Sequence, residues 1–177
     1  MVNTQHAAIG RLTRVRAWAL LGALGIATVL WAQSLWAQSG PLEDLAKFPH
    51  SSLKVLHGKK KKDPRQLQVW VADTPARQEQ GLMFTQALPQ GQGMLFLQAK
   101  PKKMSMWMKN TYIELDMVFI GEKGAIDQIV AHAKPLSLDK INSDKTVTAV
   151  LEIGGGEAER LGLNVGDRVN WTPPESP

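Results

Sequence analysis

From Arg65 to Trp171 the chain breaks into short apolar stretches divided by turn residues, and this punctuation narrows the fold before any chemistry is considered. Leu67, Val69 and Val71 alternate with their neighbours as a half-buried strand requires. Asp73-Thr74-Pro75 then carries the signals of a helix start. The Thr74 hydroxyl can accept from a free amide and Pro75 suits a first turn, which predicts a helix over Pro75–Gln80. Gly81 tolerates the left-handed backbone that would end it. Further strands are predicted at Met94–Gln98, Met104–Lys109, Asp116–Ile120, Ala125–Ala131, Thr146–Ile153 and Asp167–Trp171, with Gly121–Gly124 as a hairpin joint and Gly154–Leu161 as a second short helix. Strands joined largely by turns rather than by long crossovers imply an α+β domain: a mostly antiparallel curled sheet or small β-barrel with two short helices.

The beginning of the chain is of another kind. Arg11, Arg14 and Arg16 precede an uninterrupted apolar run from Ala17 to Ala32, and residues 33–37 then mix small and polar side chains. Residues 1–37 read as a secretory signal peptide cleaved after Ala37, which predicts a periplasmic or secreted protein. Leu35 is bulky for the minus-three position, so the alternative is an uncleaved inner-membrane anchor over residues 17–37, the only part expected to meet a membrane. Removing residues 1–37 takes away three Arg and no acid, and the net charge falls from +5 to +2. A nucleic-acid partner is therefore not expected. The remaining clusters, Lys59–Lys62 and Lys100, Lys102 and Lys103, read as solvated loops or as contacts to anionic lipid or polysaccharide. The chain has no Cys, which excludes disulfides, thiolate metal sites, a cysteine nucleophile and a lipoprotein anchor.

Residues 38–64 are polar and charged without a sustained apolar period and read as a linker, with a short helix at Pro41–Phe48 and a marginal edge strand at Ser52–His57 as its most ordered options. His50 and His57 are incidental on this reading. The three Pro within residues 172–177 predict a disordered tail, leaving one folded domain over residues 65–171.

The chemistry concentrates in Met104–Asp116, MSMWMKNTYIELD. If the segment is extended, Met104, Met106 and Met108 share one side, with Ser105, Trp107 and Lys109 on the other. No phosphate loop, dinucleotide fingerprint, nucleophile elbow or zinc helix accompanies it, so those enzyme classes are not expected. Together with Arg77, Gly81, Leu82 and Met83, then Gly93-Met94-Leu95-Phe96, Trp107-Met108-Lys109-Asn110-Thr111, Leu115-Asp116-Met117, Phe119, Val150-Leu151-Glu152 and Gly166-Asp167, the segment resembles the signature of the domain of unknown function 192 family (DUF192), in its exported bacterial form. The likeness spans roughly Gln66–Trp171 and implies a compact barrel-like α+β domain, but no catalytic residue. Glu114 stands where the family commonly has Pro.

A cation, an amide and a carboxylate at a strand end can converge on a cleft. Arg77, Trp107, Lys109, Asn110, Asp116 and Glu152 are thus the candidate residues of a binding or accessory module for a small polar cell-envelope ligand or an envelope protein. The competing expectation is an internal network in which Arg77 or Lys109 pairs with Asp116 or Glu152 while Asn110 and Thr111 satisfy free backbone groups. Two further functions use the same residues. Asp116 and Glu152 would be the acid and base of a glycan hydrolase, and Met104 and Met106 would hold Cu(I), the one cofactor considered, through their thioethers. Met83, Met94, Met108 and Met117 are expected in the core. The Trp107 indole would either stack on a sugar or lie buried with its N–H bonded, and His132 is expected to face solvent.

Overall fold

In a computed structural model the described residues are Pro41, 43–57 and 64–177. The expected signal peptide with its cleavage point after Ala37, and the Lys59–Lys62 run, lie outside them. Among the described residues nine strands form, β1 (His50–Leu56), β2 (Arg65–Ala72), β3 (Gln92–Lys102), β4 (Ser105–Met106), β5 (Leu115–Ile120), β6 (Ile126–Ala133), β7 (Ile141–Asn142), β8 (Val147–Gly154) and β9 (Arg168–Trp171). Two α-helices form among the described residues, α1 (Pro75–Gln80) and α2 (Glu157–Leu161). Seven strands make one curled sheet in the order β6-β5-β8-β3-β2-β1-β9, and β4 and β7 form a separate pair.

The sheet is antiparallel except between β2 and β3, which run parallel with Trp70 opposite Met94. Parallel neighbours cannot be joined by a hairpin. The chain crosses over the sheet between them, and α1, expected at Pro75–Gln80, lies in that crossover. Thr74 accepts from the Arg77 amide at 3.3 Å, Pro75 opens the helix, and Gly81 closes it at φ +48°.

Curling brings the two edges together. Ala125, just ahead of β6, bridges Arg168 of β9, and the Ile126 amide donates to the Asp167 carbonyl at 2.8 Å. Side chains then divide into two cores, because successive residues point to opposite faces. Leu53, Val55, Leu67, Val69, Leu95, Val118, Leu151 and Ile153 fill one, plugged by Ala158 and Leu161 of α2. Met94, Phe96, Met117, Phe119 and Val150 face the other way, covered by Phe48, Leu82, Met106 and Met108.

Two stretches differ from the sequence expectation. The region read as a linker contains β1, an inner strand of the sheet between β2 and β9, with Leu53 and Val55 fully buried. His57, taken as incidental, has a buried side chain whose Nδ1 lies 2.9 Å from Asp167 Oδ2. The tail is also engaged: Glu175 exchanges backbone hydrogen bonds with His50, and Thr172 bonds to Ser51 and Ser52. β1 buries only Ser51, Leu53 and Val55, and residues 172–177 bury no side chain and are held through backbone groups and the Thr172 hydroxyl, so neither stretch shows a strong apolar period.

Candidate functional site

The candidate residues from the sequence separate into three places. Asp116 is fully buried on the face of β5 that looks toward α2. Its Oδ1 accepts from the amides of His132 (2.9 Å) and Gly156 (3.1 Å), and its Oδ2 accepts from the Ala158 amide at 2.8 Å. Ionised carboxylates accept such bonds strongly. Asp116 therefore holds the start of α2 and the left-handed backbone at His132 (φ +55°) from a neighbouring strand. It is a structural anchor and does not reach Lys109 or Arg77. Glu114 adds to the same anchor, since its carboxylate meets His132 Nδ1 at 2.8 Å. That contact raises the His132 imidazole above its ordinary value.

Arg77 stands elsewhere. Its guanidinium makes two bonds to Glu43 (3.2 and 3.1 Å) and one to Asp73 (3.0 Å), and lies 5.3 Å from the Phe48 ring centre. The bonds to Glu43, then Asp73, raise its pKa further. It clamps residues 43–48 to α1, so the expected convergence of Arg77 with Lys109 and Asp116 does not occur. Asn110 adopts φ +54°, a conformation Asn tolerates, and its carbonyl accepts from the Phe84 amide at 2.8 Å. It shapes the loop.

The remaining candidates do share a hollow. Trp107, Lys109, Glu152, Met104 and Met106 line a cavity of about 280 Å³ together with Met83, Phe96, Thr111 and the Gln78–Leu82 segment. Its roof is the end of α1, its rim is the chain on either side of β4, and its floor is β8. The segment 104–109 alternates as expected, with Met106 and Met108 buried and Ser105, Trp107 and Lys109 exposed, although only Ser105–Met106 pair as a strand. Trp107 is 40% exposed and Lys109 Nζ lies 5.4 Å from its ring centre, so the indole belongs to the rim rather than the core.

Glu152 is the unusual member. It is 4% exposed, and its carboxyl has no hydrogen-bond or ion-pair partner among the described residues. Its cross-strand neighbours are Met94 and Met117. Burial away from water disfavours the charged form and pushes the carboxyl up to about 8. Gly81 keeps the space above it open, for a Cβ there would stand 3.0 Å from the Phe96 ring and 4.0 Å from Glu152 Oε2. Asp116 pairs with Ile153, and Met117 pairs with Glu152, so the two carboxyls point from opposite faces of the sheet. They cannot act on one bond, which removes the expected hydrolase pair.

Sequence reasoning placed Met83 in the core and missed Gln80, Gly81 and Phe96 as lining residues. Only Gly81, placed just after a short helix, carried a local signal, and that signal was for a turn. Among the described residues no group of three or more His, Cys, Asp or Glu side chains is placed to hold a metal ion. No helix among them is long and apolar enough to cross a membrane.

Known proteins agree with this architecture. A crystal structure from Sinorhizobium meliloti 1021, described as a candidate transcription regulator, is 35% identical, with a TM-score of 0.68 over 71% of this chain and 95% of that one. A protein of unknown function from Novosphingobium aromaticivorans DSM 12444 is 32% identical, with a TM-score of 0.65 over 75% of this chain and all of the other. No curated protein matches the chain. The family described as Uncharacterized ACR matches residues 56–171, the span that holds β2 through β9 and every wall of the hollow, and the chain belongs to this DUF192 family.

Proposed function

We propose that this protein is an exported binding module that holds a small molecule in the hollow between α1, β4 and β8. The observation that carries the reading is Glu152, a buried carboxyl without a partner at the floor of a cavity whose rim presents an indole and an ammonium. Among the described residues no protein group competes for that carboxyl, and it opens onto the hollow, where a ligand can reach it. Mixed apolar walls with a few polar groups and a perturbed carboxyl are the common make-up of ligand sites. Export rests on Arg11, Arg14 and Arg16 ahead of the apolar run Ala17–Ala32, with cleavage after Ala37 or retention as an inner-membrane anchor.

A second reading has one supporting observation. Met83, Met104 and Met106 line the same hollow, and thioethers select soft cations such as Cu(I).

A thermal-shift screen of the full chain against envelope sugars, small metabolites and metals tests both. A ligand at about a hundred times its Kd stabilises the folded form by about 2.7 kcal/mol, a rise of roughly 8–14 °C for a domain of this size. Trp107→Ala, at an exposed position, should leave the unliganded transition in place and shrink that rise. A screen in which no compound moves the transition, or in which the rise is indifferent to Trp107→Ala and Glu152→Gln, removes the hollow as the site.

A further inference from the structure

The nature of the ligand follows from what the hollow offers and what it withholds, given the reading of this cavity as a binding site. Most of its polar groups are already engaged. Gln80 is 3% exposed, and its side-chain amide exchanges two hydrogen bonds with the Glu43 backbone at 2.7 and 2.6 Å. Gln78 Nε2 donates to the carbonyls of Ala72 and Leu97, and the Thr111 hydroxyl donates to the Lys109 carbonyl. What remains deep in the hollow is the Glu152 carboxyl, walled by Leu82, Phe96 and the methionines.

A sugar fits that inventory poorly. Each hydroxyl taken out of water needs a partner, and a floor with one free carboxyl would strand most of them. A carboxylate-ended ligand would bury its charge with no cation beside it, since Lys109 stands out on the rim. An ammonium on an apolar stem asks for one strong acceptor at its buried end and for apolar or polarizable neighbours along its length, which Phe96 and the thioethers supply. The resident charges favour it too. Lys109, the one cation among the lining residues, sits on the exposed rim beside Trp107, while Glu79 adds a second acid on the roof.

We infer that the hollow takes a primary ammonium or amidinium carried on an apolar stem, with the cation buried against the Glu152 carboxylate and the stem against Phe96, Met104 and Met106. The cation takes the place of a proton. In the empty hollow at neutral pH the carboxyl is protonated, since burial holds it at about 8. Binding gives a carboxylate–ammonium pair and sends that proton to solvent, so charge and protons balance without any other reactant. Affinity then rises about tenfold for each unit by which the pH is raised toward the pKa of the carboxyl, and levels off above it.

Calorimetric titration of the full chain with hexylammonium chloride at pH 6.5, 7.5 and 8.5 tests this, in buffers of low and high ionisation enthalpy. Hexan-1-ol, sodium hexanoate and silver(I) serve as neutral, anionic and soft-metal comparisons. The expected results are binding about tenfold tighter at pH 7.5 than at 6.5, close to one proton released per ligand at pH 6.5, and at least tenfold weaker binding of the alcohol and the carboxylate. Glu152→Gln should lose the ammonium by at least tenfold. The buffer-dependent heat of the unaltered protein gives the same answer should that variant fold poorly. Hexylammonium that fails to bind, binds without releasing a proton, or binds Glu152→Gln equally well overturns the inference. If the alcohol, the carboxylate or silver binds in its stead and Trp107→Ala weakens it, the hollow remains a binding site for another ligand class. If nothing binds, both readings fall.

Discussion

Asp116 accepts three backbone hydrogen bonds on one face of the sheet, while Glu152, one strand away on the other face, accepts none among the described residues. The chain spells both as acids within apolar strands, and residue type together with the family signature marked both as candidates. What separates them is the register of β5 on β8, and strand register between distant segments cannot be read from either segment alone. Asp116→Asn tests the structural role. The amide would turn a donor toward an N–H and lose a charge-assisted acceptor, at a cost of about 2–4 kcal/mol. Urea unfolding should report that loss, with ligand binding per folded molecule unchanged. A variant as stable as the parent, or one folded but unable to bind, would move Asp116 from anchor to site.

Among the elements, the helices and central strands were legible because their signals are local: Thr74 and Pro75 begin α1 where expected, and Leu67 and Val69 alternate as β2 does. β1 was faint. Its neighbourhood is crowded with His, Ser and Lys, and only Leu53 and Val55 in its centre commit to the core, so composition hides a strand that lies between two others. Leu53→Ala should cost about 2–4 kcal/mol as a cavity in a closely packed interior, measured by chemical denaturation. A loss under about 0.5 kcal/mol, the size of a surface change, would return this stretch to the status of a linker. The parallel pairing of β2 with β3 was equally hidden, since parallel and antiparallel strands use the same side chains and differ only in how the connection travels.

For the molecule as a whole, the raised pKa of Glu152 has a consequence for stability. Between the ordinary value of 4.5 and about 8 the folded chain keeps a proton that the unfolded chain has lost. The unfolded state thus binds fewer protons in that window, and stability falls as pH rises through it, by an amount of the order of a few kcal/mol, before levelling off. His132 acts in the same direction through Glu114, weakly because it is exposed. Thermal unfolding at pH 5 and pH 8.5 should show a lower midpoint at the higher pH, and Glu152→Gln should remove most of the difference. Coincident profiles for parent and variant would mean that the carboxyl is not held neutral in the folded state.

The crossover between β2 and β3 gives the hollow a divided architecture. Its roof and rim come from a six-residue helix and a loop around a two-residue strand, whose exposed positions, Glu79, Ser105, Trp107 and Lys109, lie outside the ladder of the main sheet. Its floor comes from β8, which is bonded to strands on both sides. Relatives are therefore free to retune what the cavity selects by editing the canopy, whereas any change of the acid beneath it has to be absorbed by the frame of the barrel itself.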